Sequence, residues 1–418
     1  MKALKQFIAS LIRKSYDVFA RVAPITADRS RTWVYRGCHK VRDMRCKIPP
    51  SCIREHPAVL VDVTQTEILD VGTGIQRVVR SLLAELTRRD NNVLPVREAD
   101  GKLLFRDGDY AVPILPGDKL LLLDSSWSYH HEFKKIIACA HAQGAQVYAT
   151  VYDLFPIRYP QMFDSRWFSD TFRAWHNLVL QEADAVLCIS KTTADSVETY
   201  YRQQRFSRKS PLLLYDFPMG AELKKVRGNI REGLRSFVQQ ATTFLMVGTV
   251  EPRKGHATAM KAFVKLLRKG KVQLLILGRN GWKNKEFYNF LQTNENLQNH
   301  VLWIKDATDA ELCWAYDNTD ALIAASKDEG FGLPLIEAAR FGLPIICSDI
   351  PIFREVTQGH ADYFKAMDAD SLAACISSWL REEKHPDSRK IHIYTWQEAA
   401  KEILDIMDGK VEPYRVLE

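Results

Sequence analysis

The stretch ALIAASKDEGFGLPLIEAARFGLPIICSD, residues 321–349, decides how this chain folds. ALIAAS (321–326) and LPIICSD (343–349) are short apolar runs of the length of buried strands. Between them a glycine-bearing loop opens into a helical pattern that ends before Gly342. Strand, loop, helix and strand in this order make a parallel pair with a helical crossover. The same rhythm extends upstream through TTFLMVG (242–248), VQLLILG (272–278) and HVLWIKD (300–306). It also fills the first half: AVLVDV (58–63), KLLLLD (119–124), AQVYATVYD (145–153), AVLCIS (185–190) and PLLLYD (211–216) read as strands. Helical patterns over 75–88, 130–142, 170–183 and 191–203 separate them. Alternation of this kind predicts an α/β chain with two doubly wound parallel sheets, whose ligands bind at the carboxyl ends of strands in the cleft between them.

Length and composition agree. The chain has 418 residues, 46% hydrophobic and 26% charged, which excludes a disordered or disulfide-scaffold chain and fits two or three domains. The reading divides it into a basic extension (1–57), a first α/β domain (58–238), a second (239–390) and a C-terminal helical segment (391–418) that contains the amphipathic WQEAAKEILDIM (396–407). The polar segment around Lys224–Arg235 reads as the boundary. No apolar run is long enough to span a membrane, and Arg13 and Lys14 interrupt the first apolar run where a signal peptide would need continuity. A cytoplasmic protein is expected. The eight cysteines lack paired short spacings and read as free thiols, with Cys38, Cys46 and Cys52 in the basic region and the others beside apolar runs.

The net charge of +7 is concentrated. Residues 1–57 carry thirteen Lys/Arg against four Asp/Glu, leaving the rest of the chain at −2. Leu4, Phe7, Ile8, Leu11, Ile12, Phe19 and Val22 recur at helical spacing, and Trp33, Val34 and Tyr35 lie among seven cations in 29–47. A basic amphipathic stretch suits an anionic membrane surface. A helix docked on the protein with a solvated basic face is the competing reading, and nucleic acid is the less favoured third.

Three segments carry chemistry. In the opening stretch Glu329 sits in the loop and Glu337 eight residues on, in the helix; Gly330 and Gly332 let the backbone approach a ligand, and the helix start is an anion site. The TVEPRKGHATAMKAF run (249–263) places Arg253 and Lys254 at a strand end beside a helix N-terminus, where cations can neutralise a diphosphate. In the first half, Gly72 and Gly74 lie in a strand-to-helix loop followed by Arg77, and the incomplete glycine pattern, with Arg77 at the third position, disfavours a dinucleotide-binding oxidoreductase. The Asp-x-Asp pairs at Asp107/Asp109 and Asp368/Asp370 read as a turn and a helix cap, so no metal site is expected.

Glu329, Phe331, Gly332, Leu333, Pro334 and Glu337 together resemble the E-x7-E signature of retaining glycosyltransferases with the GT-B fold, the family of mannosyltransferases and sucrose synthase-like enzymes. The VGTVEPRK loop, Val247 to Lys254, is similar to that of its polysaccharide mannosyl- and rhamnosyltransferases, and VYDLFPIRYP (151–160) resembles a cleft segment in which many members carry His where this chain has Tyr152. The resemblance implies a retaining hexosyltransferase without cofactor or metal, its co-substrate a nucleotide sugar, best matched by GDP-mannose or a related deoxyhexose. It implies a donor site of Gly248, Arg253, Lys254, Glu329, Gly330, Phe331, Gly332, Leu333 and Glu337, and an acceptor side of Gly72, Gly74, Arg77, Asp153 and Ser190. Glu329, Arg253, Lys254 and Asp153 would act in catalysis, and the final helix would cross back to the acceptor domain. With the basic start, it implies a lipid-linked or oligosaccharide acceptor of bacterial surface polysaccharide at the inner membrane face, and no nucleic acid. The alternatives are a nucleotide-sugar epimerase on a two-lobed fold and a catalytically silent scaffold.

Overall fold

Val59–Asp62 (β1) is buried at every residue because helices cover both faces of its sheet. In chain order the strands are β2 Val93–Ala99, β3 Lys102–Phe105, β4 Lys119–Leu122, β5 Gln146–Val151, β6 Ala185–Cys188, β7 Leu212–Asp216, β8 Thr242–Val247, β9 Val272–Leu277, β10 Val301–Ile304, β11 Ala321–Ala324, β12 Ile345–Ser348, β13 Asp362–Phe364 and β14 Arg415–Leu417. This computed structural model describes residues 54–69, 73–108, 110–221, 226–268 and 272–418, all within one unit, Arg54–Glu418. Most of the basic extension, Gly72, Asp109 and the three cysteines near the N-terminus lie outside the described residues.

The first sheet has the order β14-β7-β6-β5-β4-β1-β2-β3 and the second β10-β9-β8-β11-β12-β13. The second is parallel throughout. The first is parallel except at its rims, where β2 pairs with β3 and β7 with β14 in antiparallel register. Successive residues feed opposite faces: Leu60 and Leu120 enter one core with Trp175 and Val147, whereas Val61 and Leu121 enter another with Leu82 and Tyr148. The strand order reverses between β1 and β4 in the first sheet and between β8 and β11 in the second. Ligand crevices of doubly wound sheets form outside the carboxyl ends at such points.

Several boundaries differ from those read in the sequence. Arg54, assigned to the extension, belongs to the body: its guanidinium bonds both carboxylate oxygens of the fully buried Asp118, at 2.9 and 2.7 Å. Residues 232–238, assigned to the first domain and its linker, form a helix, and Ile230 and Leu234 pack in the core of the second sheet. The chain crosses back after Ile391, which still belongs to that second core, and the helix Trp396–Met407 packs in the core of the first sheet. Its Gln397 amide donates to Glu85 on the helix Gly74–Arg89 at 3.1 Å. At this crossing a Cβ on Gly220 would stand 2.7 Å from the Trp396 backbone and ring, so only glycine fits.

Candidate active site

The two loops singled out by sequence leave the second sheet side by side. TVEPRK follows β8 and SKDEGFG follows β11, the two strands that flank the point of reversal. The Lys327 amide donates to the Arg253 carbonyl at 2.8 Å and ties them together. Glu329 then lies between the cations: Arg253 Nη1 is 2.5 Å from its Oε2 and Lys254 Nζ 2.5 Å from its Oε1. The Ser326 hydroxyl adds a bond at 2.8 Å to Oε1.

Burial would push the Glu329 carboxyl up, but the Arg253 and Lys254 charges and the bonds from Lys254 and Ser326 outweigh it and hold the pKa at about 2. Burial likewise opposes the Arg253 charge, yet Glu329, Glu251 and Asp153 together raise its pKa above the ordinary value. Arg253 also bonds the buried Glu251 at 2.7 Å and lies over the Phe155 ring, 5.1 Å from the centroid. Glu251, Ser326 and Phe155 were not identified from sequence, because only their burial and partners mark them.

The first sheet supplies the other wall. Asp153, just past β5, accepts the Phe155 amide at 3.0 Å, so it closes a local turn while its charge faces Arg253, Lys254 and Glu329. Burial raises its pKa, Arg253 opposing. Tyr152, at the position where histidine is common, turns away from the site: it is buried and its hydroxyl donates to the Leu123 carbonyl at 2.7 Å. Across the cleft Arg158 pairs with Asp328 at 2.6 Å.

Several residues assigned from sequence to a ligand are held by one another. Arg77, expected on the acceptor side, reaches over the cleft to Glu337, expected on the donor side, at 2.5 Å, and the Tyr316 hydroxyl donates to the other Glu337 oxygen at 2.6 Å. The Ser190 hydroxyl caps the helix Lys191–Gln204 and lies 3.0 Å from the Gly330 carbonyl. Gly74 forms the first residue of its helix, and a Cβ there would meet only the Leu333 side chain at 3.9 Å, so close approach is not what this position demands. Gly330 is different: a Cβ would collide with the Tyr152 carbonyl of the opposite wall. Gly332 starts the helix Leu333–Phe341 at φ 102°, a conformation that a side chain strains. Phe331 and Leu333 pack against cores of both sheets. Asp368 caps the helix Ala369–Trp379, and Asp107 pairs with neighbouring Arg106. Among the described residues no group of three or more His, Cys, Asp or Glu is placed to hold a metal ion.

Residues 232–396, which hold both loops, match the model of glycosyl transferases group 1. The chain with its group 1 domain is 32% identical over 373 residues to the serotype-specific mannosyltransferase WbdA of Escherichia coli, an alignment covering 83% of this chain and 44% of that protein. It is 26% identical over 229 residues to the O-antigen chain mannosyltransferase RfbU of Salmonella typhimurium, covering 55% of this chain and 59% of RfbU. The chain thus spans less than half the length of WbdA. Sucrose-phosphate synthase from Thermosynechococcus elongatus shares the fold, with a TM-score of 0.56 over 85% of this chain and 98% of that one at 18% identity. The two facing sheets are the GT-B architecture, and the group 1 domain is its second half.

Proposed function

We propose that this chain is a retaining hexosyltransferase that moves mannose, or a related deoxyhexose, from a GDP-sugar onto a lipid-linked glycan during assembly of a bacterial surface polysaccharide. One observation carries the reading: Arg253 and Lys254 converge on a single carboxylate, Glu329, at the point where the second sheet reverses. Glu329 holds both cations in place, with Glu251 as a second partner of Arg253, at the point where an anionic ligand of the crevice would meet them. A diphosphate leaving group builds negative charge as the bond from the sugar C1 to the phosphate oxygen breaks, and preplaced cations stabilise that charge most in the transition state. The acceptor hydroxyl then bonds to C1 on the same face and its proton passes to the departing phosphate oxygen, the course the E-x7-E resemblance implies. Asp153, on the opposite wall beside Arg253, would receive a hydrogen bond from the acceptor hydroxyl.

The sugar rests on similarity to WbdA and RfbU, both mannosyltransferases by name, and the polysaccharide setting on the O-antigen chain named for RfbU. The membrane-bound acceptor rests on the basic start of the sequence. Among the described residues no helix is long and apolar enough to cross a membrane.

Thermal melting against GDP-, UDP-, ADP- and dTDP-sugars tests the donor, since a ligand of the native state raises the melting temperature by mass action. A selective rise with GDP-mannose, followed by mannosylation of a lipid-linked glycan, is the expected result. A rise with another base replaces the donor, sugar conversion without acceptor identifies an epimerase, and no rise with any sugar nucleotide overturns the transferase reading.

A further inference from the structure

The crevice above β8 and β11 continues inward as a narrow pocket, lined largely by apolar residues such as Met246, Ile323, Leu335 and Phe353. Four polar residues line it: Lys254, Ser326, Glu329 and His256. The first three form one network, with Lys254 and Ser326 both donating to Glu329 Oε1. The fourth has no such place. His256 is only 2% exposed, and neither Nδ1 nor Nε2 makes a hydrogen bond. The Glu251 backbone is near enough to favour the protonated ring, but no bond of hydrogen-bonding geometry forms between them. Among the described residues its ring meets Phe287 edge-on, 6.0 Å between centroids. A buried polar group left without a partner is costly and calls for an explanation.

The backbone around it is also open to an anion. His256 begins the helix His256–Leu266, eleven residues long, and no side chain caps it. The first amides of an uncapped helix favour negative charge. Here they coincide with the Lys254 ammonium and with a ring that has an N–H to give.

We propose that His256 is a donor-binding residue: with Lys254 and the start of its helix it forms a subsite for the phosphoryl oxygens of a nucleoside diphosphate. This rests on the transferase reading above. The division of labour follows from the two side chains. Lys254 supplies charge without direction, and His256 supplies a directed N–H that fixes which phosphoryl oxygen enters the pocket. Burial, reinforced by the nearby Lys254 charge, lowers the ring pKa to about 3, so the imidazole is neutral and carries one donor and one acceptor.

Calorimetric titration of the full chain with GDP, inorganic pyrophosphate and guanosine tests the subsite. His256→Leu should weaken GDP and pyrophosphate about tenfold, the scale of one hydrogen bond to a charged group, and leave guanosine affinity unchanged. His256→Gln, which keeps an N–H, should restore most of the loss. A structural role would lower the melting temperature of both variants without changing the ratio of GDP to guanosine affinity. Should His256→Leu aggregate, His256→Gln and His256→Asn are compared with each other and with the wild type, the longer amide expected to bind GDP more tightly. Unchanged GDP and pyrophosphate affinity in a folded His256→Leu, with loss in Lys254→Met, overturns the role of His256 and leaves the transferase reading standing. A wild-type chain that binds neither GDP nor pyrophosphate, nor any other nucleoside diphosphate, removes both.

Discussion

Glu329 neutralises two partly buried cations, and its removal is therefore a charge problem before it is a catalytic one. Glu329→Gln leaves Lys254 without an anionic partner and Arg253 with Glu251 and Asp153. Uncompensated buried charge of this kind costs about 3 kcal/mol or more. The acid side gives a matching expectation. The folded pKa of about 2 lies below the ordinary 4.5, so the stabilisation is fully present above about pH 4.5 and is lost as the pH falls towards 2. Denaturant titrations should show Glu329→Gln less stable than the wild type by on the order of 3 kcal/mol at neutral pH, the gap closing on acidification. GDP or pyrophosphate should close part of the gap at neutral pH by supplying the missing anion. An unchanged gap from pH 7 to pH 3 would show that the ion pair does not form. At this scale the sequence was informative where side chains act through identity and spacing, as with Arg253, Lys254, Glu329 and Glu337. It was silent on Ser326, Glu251, Tyr316 and His256, whose importance comes from burial and from the contacts made, or in His256 left unmade, inside the fold.

The loop after β11 is an element in which backbone, not side chain, sets the function. The Gly330 carbonyl receives the Ser190 and Thr193 hydroxyls at 3.0 and 3.2 Å, and the missing side chain lets the Tyr152 carbonyl pass. These partners belong to the first sheet, so the loop is fitted to both walls. Gly330→Ala should therefore leave far-ultraviolet circular dichroism unchanged and lower turnover at least about tenfold, since small misplacements of reacting groups are costly. Turnover within twofold of the wild type would show that the walls need not meet here. The strands that flank the site were readable because they are continuous apolar runs. The missed ones are short or interrupted: β2 contains Pro95 and two charged residues, β3 (KLLF) and β13 have four and three residues, and β14, RVL, is an exposed edge with only Leu417 buried. Proline removes a ladder donor and argues against a strand, yet β2 tolerates it one place from the sheet's rim. The start of the helix at Arg166, four residues before the sequence reading, is set by the Ser165 hydroxyl accepting the Phe168 amide.

Across the whole molecule, contacts ring the cleft and hold its two walls in register. Arg77 meets Glu337 on one side; Glu355 accepts the Lys191 and Thr192 amides at 2.9 Å each; and the Trp282 indole donates to the Met162 carbonyl at 2.9 Å. The basic excess of the sequence falls outside the body that begins at Arg54. Its proposed task is attraction to anionic lipid, which brings the cleft to an acceptor confined to a membrane. The place of truncation matters for the test. Removing residues 1–57 would also remove Arg54 and strand the buried Asp118 carboxylate, which accepts two Arg54 bonds as well as the Ala58 and Leu115 amides. Loss of such a partner is destabilising by about 3 kcal/mol or more and would be mistaken for loss of membrane affinity. Deletion of residues 1–53 keeps the pair. That truncation should melt as the full chain does and bind GDP equally, while losing sedimentation with phosphatidylglycerol vesicles. The full chain should sediment with those vesicles at low salt, less at high salt as screening shortens the reach of its charges, and not with phosphatidylcholine alone. Equal sedimentation of the two proteins would move the membrane contact to the body and leave the charge asymmetry of the chain without a membrane role.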